Sequence, residues 1–284
     1  ISASGQDITL DEAASTFGTL ALTGANVAVT ENAATDLGAS TVGGTLGITS
    51  AGAVTDSGTL AITGATTISA SGQDITLDEA ASTFGTLALT GSNVAVTENA
   101  AMDLGASTIG GTANFNSTSN VITDSGTLAI TGATTINAGT ADITLDQASS
   151  TFGALALTGA NVAVTENAAT DLAASTVSGT LGITSAGAVT DSGTLAITGA
   201  TTISASGQDI TLDEAASTFG TLALIGSNVA VTENAAMDLG ASTIGGTANF
   251  NSTSNVITDS GTLAITGATT INAGTADITL DQAA

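Results

Sequence analysis

The residues best suited to chemistry lie in the stretch DITLDEAASTFG, which starts at Asp7 and recurs from Asp74 and Asp209. A near copy, DITLDQASSTFG, starts at Asp142, and DITLDQAA stands at the end of the sequence. Each copy that contains DE gathers three carboxylates within six residues. Pairs of carboxylates catalyse glycoside hydrolysis, and clustered oxygen atoms are the ligands that calcium prefers. The stretch is therefore a candidate catalytic pair, a candidate cation site, or the solvent-facing side of a scaffold.

The spacing of these acids argues against catalysis. Asp7 and Asp11 are four residues apart, so on a strand they point to one face and lie roughly 13 Å from each other. Glycosidase carboxylates are closer, at about 5 to 9.5 Å. Asp11 and Glu12 are neighbours, and neighbouring side chains on a strand point to opposite faces unless a turn intervenes. We therefore predict no catalytic residue and no enzymatic activity.

Calcium is the stronger alternative, because this sequence offers mainly oxygen ligands. The Gly-Gly-x-Gly-x-Asp nonapeptide of calcium-binding β-rolls is absent, however. The acids Glu12, Glu79 and Glu214 are also replaced by Gln147 and Gln282 in the other copies, with no compensating acid nearby. We predict no cofactor and no specific metal site, with loosely held counterions relieving the charge repulsion. A calcium- or glycan-binding repeat module is the alternative function.

Composition excludes several classes of partner. The 284 residues include 25 acids and no Lys, Arg or His, which gives a formal net charge of −25. Nucleic-acid binding depends on cationic side chains, and anionic membranes repel such a surface, so we predict neither partner. Cys is also absent, which removes disulfides and Cys or His metal sites. No apolar run reaches about 18 residues, so no helix of this segment is expected to insert into a membrane.

The remaining polar groups have structural explanations. Glu31, Asp36 and Asp56, with their repeat equivalents, stand at the ends of strand-like words beside Asn, Ser or Thr. We expect them to cap turns and to keep the surface soluble. Asn116 and Asn251 begin the triplet NST, a formal glycosylation acceptor. An Asn in a turn or in a stacked ladder is the favoured interpretation of these two residues.

Internal repeats determine the architecture. The phrase GTLAITGATT recurs at spacings of 68, 67 and 68 residues, starting at Gly58, Gly126, Gly193 and Gly261. The alternation arises because TSAGAVTDSG is exchanged for the longer NSTSNVITDSG, so the true unit is a 135-residue pair. The chain starts with Ile1 inside a repeated phrase, and we expect it to be a piece of a longer array. The prediction is one continuous solenoid segment 1–284 with repeats 1–67, 68–135, 136–202, 203–270 and a partial repeat 271–284.

Each repeat contains about nine short words that alternate apolar with small or polar residues, as strands with one buried face do. Nine words at three per turn predict about three turns of roughly 22 residues in each repeat. The fold class is therefore all-β, a parallel right-handed β-solenoid (β-helix). The residues expected to point inward in pairs are Ile8 with Leu10, Leu20 with Leu22, Val27 with Val29, Leu46 with Ile48, and Leu60 with Ile62.

Aromatic residues occur at fixed places in the repeat. One set shares a repeat position and is predicted to stack in register inside the solenoid every third turn: Phe17, Phe84, Phe152 and Phe219. Phe115 and Phe250 occur only in the longer variant, where we expect them to take the core role of Ile48 and Ile183. Ile225 replaces a Thr and is expected to be exposed.

The two phrases GTLAITGATTISASGQDITLDEAASTFGTLALTG and NVAVTENAATDLGASTVGGTLGITSAGAVTDSG carry a resemblance that extends over essentially the whole chain. They resemble the repeats of very large filamentous-haemagglutinin-like surface adhesins of Gram-negative bacteria. The resemblance implies a right-handed β-helical rod, export to the cell exterior, often by two-partner secretion, and a role in adhesion or matrix building. It implies no catalytic residue.

The sequence thus predicts the structural repeat shaft of an extracellular bacterial adhesin, fibre or matrix filament. Backbone hydrogen bonds between turns and a continuous apolar stack would hold this shaft together. We expect such segments to associate with one another end to end or laterally, and to meet a host or neighbouring-cell surface. The expected location is extracellular, at the bacterial cell surface.

Overall fold

The chain folds into short β-strands. The computed structural model describes residues 1–282, and no helix occurs among them. The strands pair in parallel and stack as a β-solenoid, so the predicted fold class is confirmed. The chain divides into two compact units, Ile1–Ala141 and Asp142–Ala284. Ala283 and Ala284, in the predicted partial repeat 271–284, lie outside the described residues.

A membrane-crossing helix is not found in the described part of the chain.

The first unit contains nineteen short strands. They are β1 (Ile8–Leu10), β2 (Thr19–Leu20), β3 (Thr23–Gly24), β4 (Val27–Glu31), β5 (Thr35–Leu37), β6 (Ser40–Val42), β7 (Leu46–Ser50), β8 (Val54–Asp56), β9 (Leu60–Ile62), β10 (Thr66–Ser69), β11 (Ile75–Leu77), β12 (Thr86–Gly91), β13 (Val94–Thr97), β14 (Met102–Leu104), β15 (Ser107–Ile109), β16 (Ala113–Asn116), β17 (Ile122–Asp124), β18 (Leu128–Ile130) and β19 (Thr134–Asn137).

The second unit repeats this order. Its strands are β20 (Ile143–Leu145), β21 (Leu155–Gly159), β22 (Val162–Glu166), β23 (Thr170–Leu172), β24 (Ser175–Val177), β25 (Leu181–Ser185), β26 (Val189–Asp191), β27 (Leu195–Ile197), β28 (Thr201–Ser204), β29 (Ile210–Leu212), β30 (Thr221–Gly226), β31 (Val229–Thr232), β32 (Met237–Leu239), β33 (Ser242–Ile244), β34 (Ala248–Asn251), β35 (Ile257–Asp259), β36 (Leu263–Ile265), β37 (Thr269–Asn272) and β38 (Ile278–Thr279).

The register of the first sheet gives the length of a turn. Ile8 pairs with Val27, Val27 with Leu46, Leu46 with Thr66, and Thr66 with Leu87, which are steps of 19, 19, 20 and 21 residues. Successive strands of this sheet belong to successive turns, and their backbones hydrogen-bond in parallel. One turn therefore takes about 20 residues, slightly fewer than the sequence predicts.

A turn of this length makes each repeat about three and a half turns long, because 67 residues divided by about 20 is near 3.4. Ile8 and Ile75 occupy the same repeat position, yet Ile8 pairs with Val27 in one sheet and Ile75 pairs with Val94 in the other. Equivalent words thus alternate between the two sheets. The 135-residue pair brings each word back to its starting sheet after about seven turns, which explains why the pair is the true unit.

The period-2 pattern of the strands places the core correctly. Val27 and Val29 are 2% and 3% exposed, whereas the alternating Ala28 is exposed. Leu10, in the first strand, is half-buried, but its equivalent Leu77 is fully buried. The other predicted inward residues are all buried: Ile8, Leu20, Leu22, Leu46, Ile48, Leu60 and Ile62.

The aromatic residues lie in the core, but not in the predicted stack. Phe84, Phe152 and Phe219 are buried and Phe17 is half-buried, so their core role is confirmed. The predicted stacking in register is wrong, because the strands that follow Phe17 and Phe84, β2 and β12, belong to different sheets. Ile225 is 41% exposed, as predicted.

The two aromatic residues of the longer variant lie deepest. Phe115 and Phe250 are both 0% exposed. Phe115 lies in register between Val96 and Ile136, as Ile48 lies between Val29 and Ile68. Their predicted replacement of the core Ile is therefore confirmed.

Glycines allow two turns to approach at one corner of the first unit. A Cβ at Gly64 would lie 2.6 Å from the carbonyl oxygen of Gly44, closer than any real Cβ contact. We expect Gly64→Ala to lower the free energy of unfolding by about 1 to 3 kcal/mol, because the two turns must separate. Urea unfolding of the full chain measures this loss.

Gly47→Ala is the matched control, since a Cβ there meets nothing nearer than the Val27 carbonyl oxygen at 3.8 Å. The control should change the free energy of unfolding by no more than about 0.5 kcal/mol. Equal losses in the two variants would contradict the close approach at Gly64.

Candidate functional site

Asp7, the first acid of DITLDEAASTFG, is part of a hydrogen-bonded ladder. Its Oδ1 accepts the backbone N–H of Asn26 at 3.1 Å and the Asn26 side-chain amide at 2.9 Å. Asn26 Oδ1 in turn accepts the N–H of Thr45 at 3.0 Å and its hydroxyl at 3.2 Å. The ladder links three successive turns at one exposed corner. Three equivalents carry at least its Asp–Asn and Asn–Thr backbone bonds: Asp74–Asn93–Thr112, Asp142–Asn161–Thr180 and Asp209–Asn228–Thr247.

The ladder uses these carboxylates as acceptors for amides. The backbone N–H of Asn228, followed by its side chain, lowers the pKa of the exposed Asp209 carboxyl. A carboxylate held in this way is ionised and already hydrogen-bonded to the chain. It therefore serves as a cap between turns rather than as a general acid.

The second and third acids, Asp11 and Glu12, are exposed and open a surface loop. We call this loop and its equivalents the anchored loops: residues 11–18, 78–85, 146–153 and 213–220. Asp7 and Asp11 do not converge on a common site, because Asp7 binds Asn26 whereas Asp11 begins the loop beyond β1. The candidate catalytic pair is thus not formed by these residues.

A buried Asp from the preceding turn holds the start of each later loop. Asp56 is 8% exposed, and its Oδ1 accepts the N–H of Asp78 at 2.9 Å. In the second unit Asp191 accepts the N–H groups of Asp213 and Glu214 at 2.8 and 3.3 Å. Burial raises the pKa of both Asp carboxyls, and these amides offset part of that rise.

A buried Ser holds the middle of the loop. Ser82 is 0% exposed, and its backbone N–H donates to the Glu79 carbonyl at 2.8 Å, which closes a turn. Its Oγ accepts the N–H of Leu60 at 3.0 Å. Ser217 makes the same bonds with Glu214 and Leu195 in the second unit. The loop is therefore tied to the turn before it at its middle as well as at its start.

A buried Glu from the following turn holds the end of the loop. Oε1 of Glu98 accepts the backbone N–H of Phe84 at 2.6 Å, and the Glu98 side chain is 0% exposed. The other three repeats have the same bond at 2.7 to 2.8 Å: Glu31 with Phe17, Glu166 with Phe152, and Glu233 with Phe219. These four glutamates lie within the core and not on its surface.

The glutamates are costly to bury, because the chain has no Lys, Arg or His to neutralise them. Burial raises the pKa of Glu98 and of Glu233 to about 7, although the Phe amide on Oε1 offsets part of the rise. The second oxygen, Oε2, is buried without a hydrogen-bond partner in Glu31, Glu98 and Glu233. These are the most perturbed acids of the described residues.

The structure corrects the interpretation of the acids at word ends. Glu31 does not serve solubility, because it is 2% exposed and caps the Phe17 amide from inside. Asp56 does cap a turn, but it is also buried. Asp36 accepts the hydroxyls of Thr19 and Ser57 at 2.6 and 2.9 Å.

A sequence signal for the buried glutamates was present. In VAVTE, Glu31 has the same period-2 phase as Val27 and Val29, and the strand has the burial pattern of an inward, outward alternation. The phase predicts an inward Glu, and the charge alone led to the opposite interpretation.

Asn116 occupies a turn, as the favoured interpretation held. Its Oδ1 accepts the N–H of Thr118 at 3.2 Å, and Thr118 and Ser119 adopt φ angles of 49° and 73°. The Thr118 hydroxyl donates to the Glu98 carbonyl at 3.0 Å. In the fourth repeat Asn272 donates to Asn251 at 3.2 Å, which forms a rung of a stacked Asn pair. Glycosylation of these residues stays a separate hypothesis.

No group of three or more acids that could hold a metal ion occurs within residues 1–282.

Comparison with known proteins gives one match. A family profile described as repeats of unknown function (DUF5649) matches residues 24–90, 91–158, 159–225 and 226–284, which together cover most of the chain. No curated protein and no solved structure matches the chain.

Proposed function

Because the chain belongs to the DUF5649 family of repeats of unknown function, its role has to be argued from its own geometry, and we propose that it is a structural repeat shaft. In this proposal the shaft is part of an extracellular bacterial adhesin, fibre or matrix filament, has no enzymatic activity, and needs no cofactor. The repeat β-solenoid is compatible with such a shaft.

One observation carries the proposal: in every repeat, carboxylates that could do chemistry are hydrogen-bonded to the backbone of another turn. Asp7 binds the turn after it, Asp56 binds the start of an anchored loop, and Glu98 binds the end of one. An enzyme or ion-binding module would leave some of these oxygens free toward a ligand. Here they connect turns, which is what a mechanical element requires.

The composition supports the extracellular part of the proposal. A surface with a net charge of −25 and no cation stays soluble and repels identical surfaces. A chain without Lys or Arg offers trypsin no cleavage site, which suits exposure to proteases outside the cell. The proposed partners are other copies of the same segment, end to end or laterally in a fibre, and a host or neighbouring-cell surface.

Calcium distinguishes the shaft from an ion-dependent module. We expect calcium to shift the thermal unfolding midpoint no more than magnesium does at equal ionic strength, because the described acids form no metal site. A specific site at a hundredfold excess of calcium over its Kd would instead add about 2.7 kcal/mol of stability. Scanning calorimetry with each ion, followed by chelation, measures the difference.

A large stabilisation by calcium that the chelator reverses would overturn the shaft in favour of the ion-binding module. Binding of the chain to a glycan array, lost on mutation of the exposed loop acids Asp78 and Glu79, would favour a glycan-binding module instead.

A further inference from the structure

We propose that the second and fourth repeats carry a proton-operated latch, in which neutral Glu98 or Glu233 holds an anchored loop closed and ionisation of the Glu releases it. The latch is a regulatory property of the fold and does not depend on the role of the chain as a shaft.

The geometry of the latch is a carboxyl group with one used and one unused oxygen. Oε1 of Glu98 accepts the Phe84 N–H, and Oε2 is buried without a partner. Phe84 itself is 6% exposed, so the bond lies under the end of the loop. A neutral carboxyl fits this environment, whereas an ionised one has a single amide and no cation to stabilise it. Opening the loop gives both oxygens access to water.

The repeats differ at one position that decides how strongly the latch responds. In the third repeat Thr170 follows Glu166 by four residues, and its hydroxyl donates to Glu166 Oε2 at 2.9 Å. In the second and fourth repeats Met102 and Met237 stand at that position. Both Met side chains are 1% exposed and offer no donor. The hydroxyl therefore stabilises an ionised Glu166, and the Met repeats lack this support.

The charged groups around Glu98 do not account for its state. Its strand β13 packs between β11 and β16. Asp74 and Asp78 flank β11, Glu79 follows Asp78, and β16 contributes no titratable group. None of these acids perturbs Glu98, whose pKa is raised to about 7 by burial and lowered again only in part by the Phe84 amide. Asp78 and Glu79 instead face Asp56 at the start of the loop.

The direction of the response follows from linkage. An open loop exposes Glu98 with its ordinary pKa of 4.5, and the closed loop holds it near 7. The closed state therefore binds the proton more tightly, so closure is strongest below pH 4.5 and weakens as the pH rises to 7. A difference of 2.5 between the two pKa values allows an opening constant up to about 300-fold larger above pH 7 than below pH 4.5.

Hydrogen exchange of the full chain tests the latch. The protection factor of the Phe84 and Phe219 amides, corrected for intrinsic exchange, should fall on the order of 100-fold between pH 4.5 and 7.5 and then level off. The Phe152 amide, whose Glu166 has the Thr170 hydroxyl, should fall less. Fragments extending beyond the loop separate the near-identical repeats by Ala25, Ser92 and Ile225.

Three variants separate the latch from general charge repulsion. Glu98→Gln keeps an oxygen for the Phe84 amide but cannot ionise, so the Phe84 profile should become flat. Glu79→Gln removes an exposed charge from the same loop, as Gln147 does naturally, and should leave the profile unchanged. Thr170→Val removes only the hydroxyl, and Phe152 should then lose protection as steeply as Phe84. This last variant and the native profile decide the question if Glu98→Gln does not fold.

The proposal is overturned if protection at Phe84 does not change with pH, or if all backbone amides lose protection in parallel. It is also overturned if Thr170→Val leaves the Phe152 profile as it was. A selective loss at Phe84 and Phe219 that Glu98→Gln abolishes at Phe84 supports it.

Discussion

Lowering the pH from 8 to 5 should raise the thermal unfolding midpoint of the chain, by on the order of 10 °C. Burial raises the pKa of Glu98 and Glu233 to about 7 and raises that of Asp56, Glu166 and Asp191 as well. A raised pKa in the folded state means that the stabilisation is complete below the unfolded pKa and lost as the pH rises through the folded one. For the two glutamates this window is pH 4.5 to 7. Calorimetry in steps of pH measures the midpoint.

Two controls assign this gain to the buried acids. High salt screens the repulsion between surface carboxylates, which also weakens at low pH. The double variant Glu98→Gln, Glu233→Gln should flatten the pH profile, whereas Glu79→Gln, Glu214→Gln should not. Asp209 responds in the opposite sense, because its pKa is lowered, but its effect falls below pH 3.8, outside the range measured. A midpoint that is constant or falls from pH 8 to 5 in high salt would contradict the burial of the glutamates.

Replacing the deepest aromatic residue should cause the largest loss of stability of any single truncation. Phe115 is 0% exposed and contacts the turns on both sides through Val96 and Ile136. Phe115→Ala leaves a cavity in a core of narrow section, so the free energy of unfolding should fall by about 3 to 5 kcal/mol. Urea unfolding of the full chain, with hydrogen exchange of the neighbouring strands, measures the loss.

The chain provides its own control for this substitution. The shorter repeats have Ile48 at the position of Phe115, so Phe115→Ile installs a side chain that the same core accepts elsewhere. It should cost clearly less than Phe115→Ala, because a smaller cavity remains. Equal losses for Ile and Ala would show that Phe115 does not fill the core in this way.

The fold class was accessible from the sequence because repetition and period-2 alternation both specify stacked strands with one buried face. The number of turns was less accessible. TLALTG was counted as one word, but the first repeat divides it between β2 and β3, whereas the second repeat keeps it as the single strand β12. Counting words therefore overlooked the extra half turn, and with it the alternation of equivalent residues between two sheets.

The carboxylates were harder to interpret. Glu31 follows the inward phase of Val27 and Val29, but a charged residue is rarely buried without a partner, and that general rule favoured a surface position. Its partner, the Phe17 amide, lies 14 residues earlier in the chain and on an adjacent turn. Such a contact depends on the register between turns, which the sequence alone did not fix.

Electron microscopy of cells that produce the whole protein, labelled with an antibody against this segment, tests the proposed shaft most directly. We expect the label on extended fibres or surface projections outside the cell, repeated along their length. Label confined to the cell interior, or on isolated particles without fibres or projections, would contradict a structural role at the cell surface.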